Sequence, residues 1–474
     1  MHPSGIGKVH FSGIGGVAMV GGARLALELG WEVRGSDGPL YPPASEMVRA
    51  LRVPVAKGYA AENLDWKPDI VVIGNALSRG NPEVETALSR RMRFTSLPEW
   101  LRENLLRDRR PVVVTGTHGK TTTTSMAAWI LHQAGMNPGW LIGGQPLGME
   151  HPATAGIPGG PFVIEGDEYD TAFFDKRAKF LHYLPEVVIV TSVEFDHGDI
   201  YRDLDEIDTA FQRLLRIIPR NGQLILCADT RAGLLRKHAH SPLTTYGFSP
   251  EADWHMEPAD PTPDGMQVWR VTRGNSLTLM LRGLPPGRHN AQNALAAVIA
   301  AEYFGVSPQT SAEALAVFPG VRRRMECFLA CRDVLFIDDF AHHPTAITAT
   351  LEAARTQWPG RRLHAVFEPR SNTTVTRRFA GELEDALARA DVVWIGPVYR
   401  AERLQPEVRL DTQVLAENLR NRRKIPAWAF DQVPGLAGAL WETTTPGDLV
   451  VIMSNGAFGG LYDLLRQRAE TCGT

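Results

Sequence analysis

The stretch PVVVTGTHGKTTTTSMAAWILHQAG, residues 111–135, constrains the fold of this chain more than any other. An apolar, β-branched run reaches a glycine- and threonine-rich turn and passes at once into residues with the apolar spacing of an amphipathic helix. Strand, turn and helix in that order build a parallel sheet, because parallel neighbours need a long crossover and a helix supplies it. The pattern recurs along the chain. KVHFSG, WEVRGSD and DIVVIGNA read as strands in the first hundred residues, with GVAMVGGARLALELG as a helix ending at Gly30. PFVIEGDEYD, EVVIVTSVEFDH and GQLILCAD follow the opening stretch, and residues 240–285 read as an antiparallel excursion. DVLFIDDFAHHP, RLHAVFEPR, ADVVWIGPV and GDLVVIMSNGAFGG repeat the strand-to-loop pattern near the end. The charged segment LRENLLRDRRP and the segment FPGVRRRMECF separate three α/β units, residues 1–108, 109–322 and 323–474.

The turn in the opening stretch is built for phosphate. It is shorter than a standard Walker loop: Gly116, two residues, then Gly119-Lys120-Thr121. Backbone N–H groups from Gly116 to Thr121 still converge at a helix N-terminus, where an anion is stabilised. Lys120 adds positive charge for a transferable phosphate, and the Thr121 hydroxyl can ligate Mg²⁺. Two further strand ends carry chemistry. FVIEGDEYD presents Glu165, Asp167, Glu168 and Asp170, and TSVEFDHGD presents Glu194, Asp196, His197 and Asp199. The carboxyl ends of parallel strands are where such sheets bind ligands. A phosphate cradle, a carboxylate cluster and a histidine on three strand ends point to ATP chemistry.

A second glycine turn lies at HFSGIGGVAMVGG, with Gly13, Gly15 and then Ala18 in the third small position. Asp37 ends the following strand and is placed to meet a ribose hydroxyl. The same N–H groups accept any nucleotide diphosphate, so a dinucleotide and a UDP-sugar both fit.

Composition excludes other classes. The formal net charge is −3 and no long basic run occurs, which speaks against nucleic acid as a partner. Cys227, Cys327, Cys331 and Cys472 form neither a disulfide framework nor a zinc spacing, so reduced thiols are expected. No apolar run reaches the roughly 18 residues of a membrane helix, and no signal peptide precedes GKVHFSGIGG. The expectation is a soluble, cytoplasmic protein.

The set TGTHGKTTT, EGDEYD, VEFDHGD, GRHNAQNALAA, GVRRRME and DDFAHHPTA resembles the Mur ligases, ATP-dependent amide-forming enzymes of bacterial cell-wall assembly. The resemblance spans essentially the whole chain. It implies a Rossmann-like N-terminal domain for a UDP-sugar, a central P-loop ATPase-like domain and a Rossmann-like C-terminal domain for the amine. FSGIGGVAM and DDFAHHPT are most similar to the two members that use UDP-N-acetylmuramate itself, one adding L-alanine and one adding a murein tripeptide.

On this resemblance Gly116, Thr117, His118, Gly119, Lys120, Thr121 and Thr122 bind ATP, joined by His289, Asn290, Asn293, Arg324 near the phosphates and Asp339 at the ribose. Thr121, Glu165 and His197 hold Mg²⁺, and Lys120, Glu165 and His197 are the catalytic set. Gly13, Ile14, Gly15, Gly16, Ser36, Asp37, Asn75 and Ala76, with His118, line the UDP-sugar site. His342, Arg370, Ser371 and Asn372 face the peptide. Several members carry a carbamylated lysine after the DH motif; residues 198–236 contain no lysine, so the ligands of a second Mg²⁺ stay open.

EYDTAFFDKRAKF and MSNGAFGGLYDLL resemble the tripeptide-adding member, and FEPRSNTT agrees. The alanine-adding member has arginines in this run for a free carboxylate. Here Arg370-Ser371-Asn372-Thr373-Thr374 leaves neutral groups in their place, as suits a peptide whose alanine carboxylate is already an amide. The expected reaction is ligation of UDP-N-acetylmuramate to L-Ala-γ-D-Glu-meso-diaminopimelate in peptidoglycan recycling, with the alanine ligase as alternative. A nicotinamide-dependent dehydrogenase on Gly13 to Asp37, or a non-catalytic UDP-sugar sensor, would leave residues 112–200 without a role.

Overall fold

The computed structural model describes residues 7–40, 44–195, 201–263, 265–274 and 276–472. Three large sheets organise them. In the first, five parallel strands run in the order Val55–Lys57, Glu32–Asp37, Lys8–Ser12, Ile70–Ile73 and Phe94–Ser96. The order reverses at Lys8–Ser12, and reversal opens a crevice at the carboxyl ends of the two middle strands. The Gly13 turn lies at that point.

The central sheet has a parallel middle in the order Leu243–Gly247, Gln223–Cys227, Val187–Val190, Arg110–Thr115, Pro161–Gly166 and Gly139–Leu141. Val112, Val113, Val114 and all of Val187–Val190 are fully buried, because helices or the neighbouring domain cover both faces of the sheet. Trp254–Ala259, Val268–Arg273 and Leu277–Leu281 extend one edge as an antiparallel meander. The antiparallel excursion is therefore shorter than the sequence implies: Leu243–Gly247 is parallel to Gln223–Cys227, reached by a 3₁₀ crossover at Arg231–His238.

The third sheet runs Glu326–Cys331, Val334–Asp339, Asp448–Met453, Arg362–Phe367, Val392–Ile395 and Ala427–Ala429, parallel except for its first, edge strand.

The helix after the phosphate turn, Lys120–Gln133, departs from the amphipathic expectation. Every residue from Thr121 to Leu131 is buried, since it lies between the central sheet and the helices Arg288–Tyr303 and Pro308–Ala316. Two of its hydroxyls tolerate burial by bonding within the helix: Thr124 donates to Lys120 O at 2.8 Å and Ser125 to Thr121 O at 2.7 Å.

One apolar core runs without a break from the first domain into one face of the central sheet, through Leu101, Leu106, Leu141 and Phe162. Polar contacts reinforce it, with Glu28 accepting from Ala155 N at 2.7 Å. The third domain keeps its own two cores, one on each face of its sheet. It meets the centre through polar side chains such as Thr345, whose hydroxyl donates to Glu194 Oε2 at 2.7 Å. Among the described residues no helix is long and apolar enough to cross a membrane.

Candidate active site

Register brings the three expected strand ends together. Val187–Val190 and Pro161–Gly166 flank Arg110–Thr115 on either side, with Thr115 opposite both Val190 and Gly166. The phosphate turn thus leaves the middle of three adjacent strands. Gly116 (φ 126°) and Gly119 (φ 82°) take left-handed backbone conformations open to glycine. A Cβ on Gly116 would fall 2.3 Å from Thr191 Oγ1, and one on Gly119 would fall 2.5 Å from Asn293 Oδ1. The loop is pinned from behind: His118 N donates to Ser192 Oγ at 3.0 Å, and Thr191 Oγ1 donates to His118 O at 2.5 Å.

Lys120 Nζ folds back over the loop, donating to Gly116 O at 2.7 Å and Glu168 Oε2 at 3.1 Å, with Asp167 Oδ1 at 4.0 Å. Burial alone would favour the neutral amine, but Glu168 and Asp167 outweigh it and hold the Lys120 pKa above its ordinary value. Glu165 behaves oppositely. Burial and the neighbouring Asp167 push its carboxyl up, against donors from Gly143 N at 2.5 Å and Thr121 Oγ1 at 3.0 Å. A buried carboxylate whose charge is disfavoured gains from a cation, and the hard oxygens of Glu165 and Thr121 suit Mg²⁺. Asp170 is placed elsewhere: it opens a small hairpin and pairs with Lys176.

The third domain contributes Arg324, whose Nη2 reaches Thr121 Oγ1 at 3.4 Å. Its neighbour Arg323 anchors it by donating to Asp338 at 3.1 Å and to Ser454 O at 2.7 Å. Asp339 is buried and fastens the adjoining turn, accepting from Met325 N at 2.9 Å and Ala341 N at 2.9 Å. Burial lowers the His289 pKa most, Asp339 opposes that, and Arg324 and His118 add to the lowering. Asn290 and Asn293 are buried beneath the loop, 3.4 Å from each other, with Asn290 Nδ2 donating to Pro286 O at 2.8 Å. Thr117 closes the other side, its Oγ1 accepting from Glu194 N at 2.8 Å, while Thr122 is buried in the first helical turn.

At the first glycine turn, Gly13 N and Ile14 N donate to Ser36 O at 2.9 and 3.1 Å, and Gly16 N reaches Gly13 O at 3.5 Å. Asp37 accepts from Gly15 N at 2.6 Å, Gly38 N at 2.7 Å and Tyr59 OH at 2.9 Å. Beneath it Glu83, 0 % exposed, accepts from Ser12 Oγ at 2.5 Å, Ser36 Oγ at 2.6 Å and Asn63 Nδ2 at 2.6 Å, with His10 Nε2 at 3.3 Å. Asn75 and Ala76 are exposed at the end of the neighbouring strand Ile70–Ile73.

On the third domain, His342 Nδ1 lies 2.9 Å from Phe340 O. Arg370 stacks on Tyr399, 3.7 Å from the ring centre, and approaches Glu368 at 3.4 Å. Ser371 and Thr374 share a hydrogen bond of 2.8 Å, and Asn372 is exposed. His197 lies outside the described residues.

The sequence pattern gives no role to Glu83, Tyr59 or Thr345, and it places Glu168 in the carboxylate cluster without pairing it to Lys120. Glu168 and Glu194 follow the two strands that flank the phosphate turn, and that position is the signal for both. Glu83 had none, because its partners are 20–73 residues away in sequence.

Comparison with known proteins extends this geometry. Residues 8–109 match the Mur ligase family catalytic domain, residues 114–301 the Mur ligase middle domain, and residues 323–456 the Mur ligase glutamate ligase domain. The chain is 41% identical to the UDP-N-acetylmuramate–L-alanyl-γ-D-glutamyl-meso-2,6-diaminoheptandioate ligase of Escherichia coli K12, covering 98% of this chain and 99% of that one. Among solved structures it is similar to a murein peptide ligase from Psychrobacter arcticus, with a TM-score of 0.73, 36% identity and 98% coverage of each chain. It is also similar to UDP-N-acetylmuramate–alanine ligase from Thermotoga maritima, with a TM-score of 0.80, 25% identity and coverage of 98% and 99%.

Proposed function

The chain belongs to the Mur ligases, ATP-dependent enzymes that form amide bonds, and from that premise we propose that it joins UDP-N-acetylmuramate to the tripeptide L-Ala-γ-D-Glu-meso-diaminopimelate. Its place is peptidoglycan recycling in the cytoplasm. The observation that carries the catalytic reading is the convergence of Lys120, Thr121, Glu165 and Arg324 at one end of the central sheet. The full-length likeness to the E. coli tripeptide-adding enzyme supports the substrate.

A carboxylate is a poor electrophile, so the lactyl carboxylate of the muramate first takes the γ-phosphoryl group of ATP. The alanine amine of the tripeptide then attacks the acyl phosphate, and phosphate leaves as the amide forms. Lys120, kept charged by Glu168 and Asp167, exchanges those carboxylates for phosphate oxygens when nucleotide enters. The N–H groups from Gly116 to Thr121 and the Arg324 guanidinium face the same charge. Thr121 and Glu165, with His197, would hold Mg²⁺, which neutralises phosphate charge when bound. Gly13 to Gly16, Ser36, Asp37, Asn75 and Ala76 receive the UDP moiety, with His118 between the sugar and the nucleotide.

The peptide meets the third domain at His342 and at Arg370 to Asn372. Here the neutral Ser371–Thr374 pair, already hydrogen-bonded to each other, suits an amide better than a free alanine carboxylate. Closure of the third domain excludes water that would hydrolyse the acyl phosphate.

The test is ADP release with UDP-N-acetylmuramate and each amine singly. The tripeptide should support turnover and L-alanine should not. Turnover with alanine and none with the tripeptide would replace this reading with the alanine ligase.

A further inference from the structure

Beside the phosphate turn, two histidines from different domains converge on a carboxylate oxygen. His118 Nε2 lies 3.5 Å from Glu194 Oε2, and His343 Nδ1 lies 3.8 Å from that oxygen. The three ligating atoms all lie within 4.8 Å of one another. A tetrahedral site with bonds of about 2.0–2.2 Å spaces its ligand atoms about 3.4 Å apart, so the two measured edges need little adjustment.

We propose that His118, Glu194 and His343 form a binding site for a divalent transition metal of the Zn²⁺ class, distinct from the Mg²⁺ site proposed at Thr121, Glu165 and His197. Two imidazoles and one carboxylate form a donor set that favours zinc, cobalt or nickel, whereas Mg²⁺ prefers oxygen. Thr121 and Glu165 offer the Mg²⁺ site hard oxygens beside the single imidazole expected from His197, so the second imidazole here shifts the preference toward a softer ion.

The ligands are held in place before any ion arrives. Thr345 Oγ1 donates to Glu194 Oε2 at 2.7 Å, and Glu194 N donates to Thr117 Oγ1 at 2.8 Å. His343 Nδ1 accepts a long cap bond from Thr345 N at 3.4 Å, which it gives up to the ion, while His118 is fixed at both its backbone N–H and its carbonyl. Such outer contacts orient a ligand and raise affinity. His343 is 6% exposed, whereas His118 and Glu194 are 23% and 30% exposed, leaving one side open for a fourth ligand such as water. Because His118 and Glu194 belong to the central domain and His343 to the third, an ion here bridges the domains and holds them together.

The test needs the metal alone, on the full chain saturated with Mg²⁺. Co²⁺ should bind once per chain and give the visible absorption of a four-coordinate ion, and Zn²⁺ should displace it. Glu194→Gln and His343→Ala should each weaken binding by on the order of 100-fold, while Glu165→Gln leaves the absorption intact. Zn²⁺ should also raise the melting temperature of wild type and not of Glu194→Gln. Absence of the band in wild type, its displacement by Mg²⁺, or its persistence in both ligand variants would each overturn the proposal. No ATP, sugar or peptide enters this measurement, so its failure leaves the proposed reaction standing.

Discussion

The two glycine turns, at Gly13 and at Gly116, are the same backbone device with opposite electrostatics. Each links the end of a buried parallel strand to the start of a helix. At Gly116 the turn is followed at once by Lys120, and its carboxylates stand opposite on the neighbouring strand end. At Gly13 no basic residue occurs before Arg24, and Asp37 already accepts from the turn's own Gly15 N–H at 2.6 Å. A turn whose N–H is shared with a carboxylate is suited to polar hydroxyls and one face of a diphosphate. A turn completed by a lysine is suited to a phosphoryl group in transfer. On the proposed function, backbone shape makes a place for a nucleotide in both, and the side chains decide whether that place binds or reacts.

The comparison breaks first at Lys120. Lys120→Ala should lower the turnover number by on the order of 10³-fold, as expected for losing a charge aimed at the transferring phosphoryl group. UDP-sugar affinity, measured by calorimetry without ATP, should stay at its wild-type value. Equal loss of both would mean that the two turns form a single site rather than a binding site and a reacting one.

Asp37→Ala probes the other turn, with a smaller effect. It removes the acceptor for Gly15 N, Gly38 N and Tyr59 OH at once. The KM for the UDP-sugar should rise about tenfold, equivalent to 1.4 kcal/mol, with the turnover number at saturation nearly unchanged. A fall in turnover number with KM constant would place Asp37 in the chemistry instead.

What was legible in the sequence follows from locality. The alternation of strands and helices and both glycine turns are written within a few residues each, so pattern alone finds them. The burial of the helix Lys120–Gln133 is hidden because its four threonines look polar, while in the fold Thr124 bonds a backbone carbonyl and Thr121 bonds the Glu165 carboxylate, a partner 44 residues away. The pairing of Lys120 with Glu168 spans 48 residues and depends on the register of two strands, which periodicity does not reveal. Arg324 reaching Thr121 spans 203 residues and depends on how the third domain docks.

The subtlest difference between the turns lies beneath them, in Glu83. The Gly116 turn rests on hydroxyls and amides, whereas the Gly13 turn rests on a fully buried carboxylate. Burial pushes the Glu83 pKa up, but bonds from His10, Ser12, Ser36 and Asn63 outweigh it and leave the pKa below its ordinary value. A depressed folded pKa means the group stabilises the fold above its unfolded pKa of about 4.3, and that contribution fades as pH falls through the folded pKa. Glu83→Gln keeps the shape and removes the charge that four donors point at. Denaturant unfolding at pH 7 should show a loss of about 1–3 kcal/mol, the cost of weakened bonds to a buried charged acceptor. The gap between wild type and variant should hold steady down to the ordinary carboxylate range and then narrow as acid protonates the wild-type group. The KM for the UDP-sugar should shift less than in Asp37→Ala, since Glu83 acts through Ser12 and Ser36. A gap that widens with acid would mean that the carboxyl is protonated in the fold at neutral pH, and the first turn would then rest on a neutral network like the second.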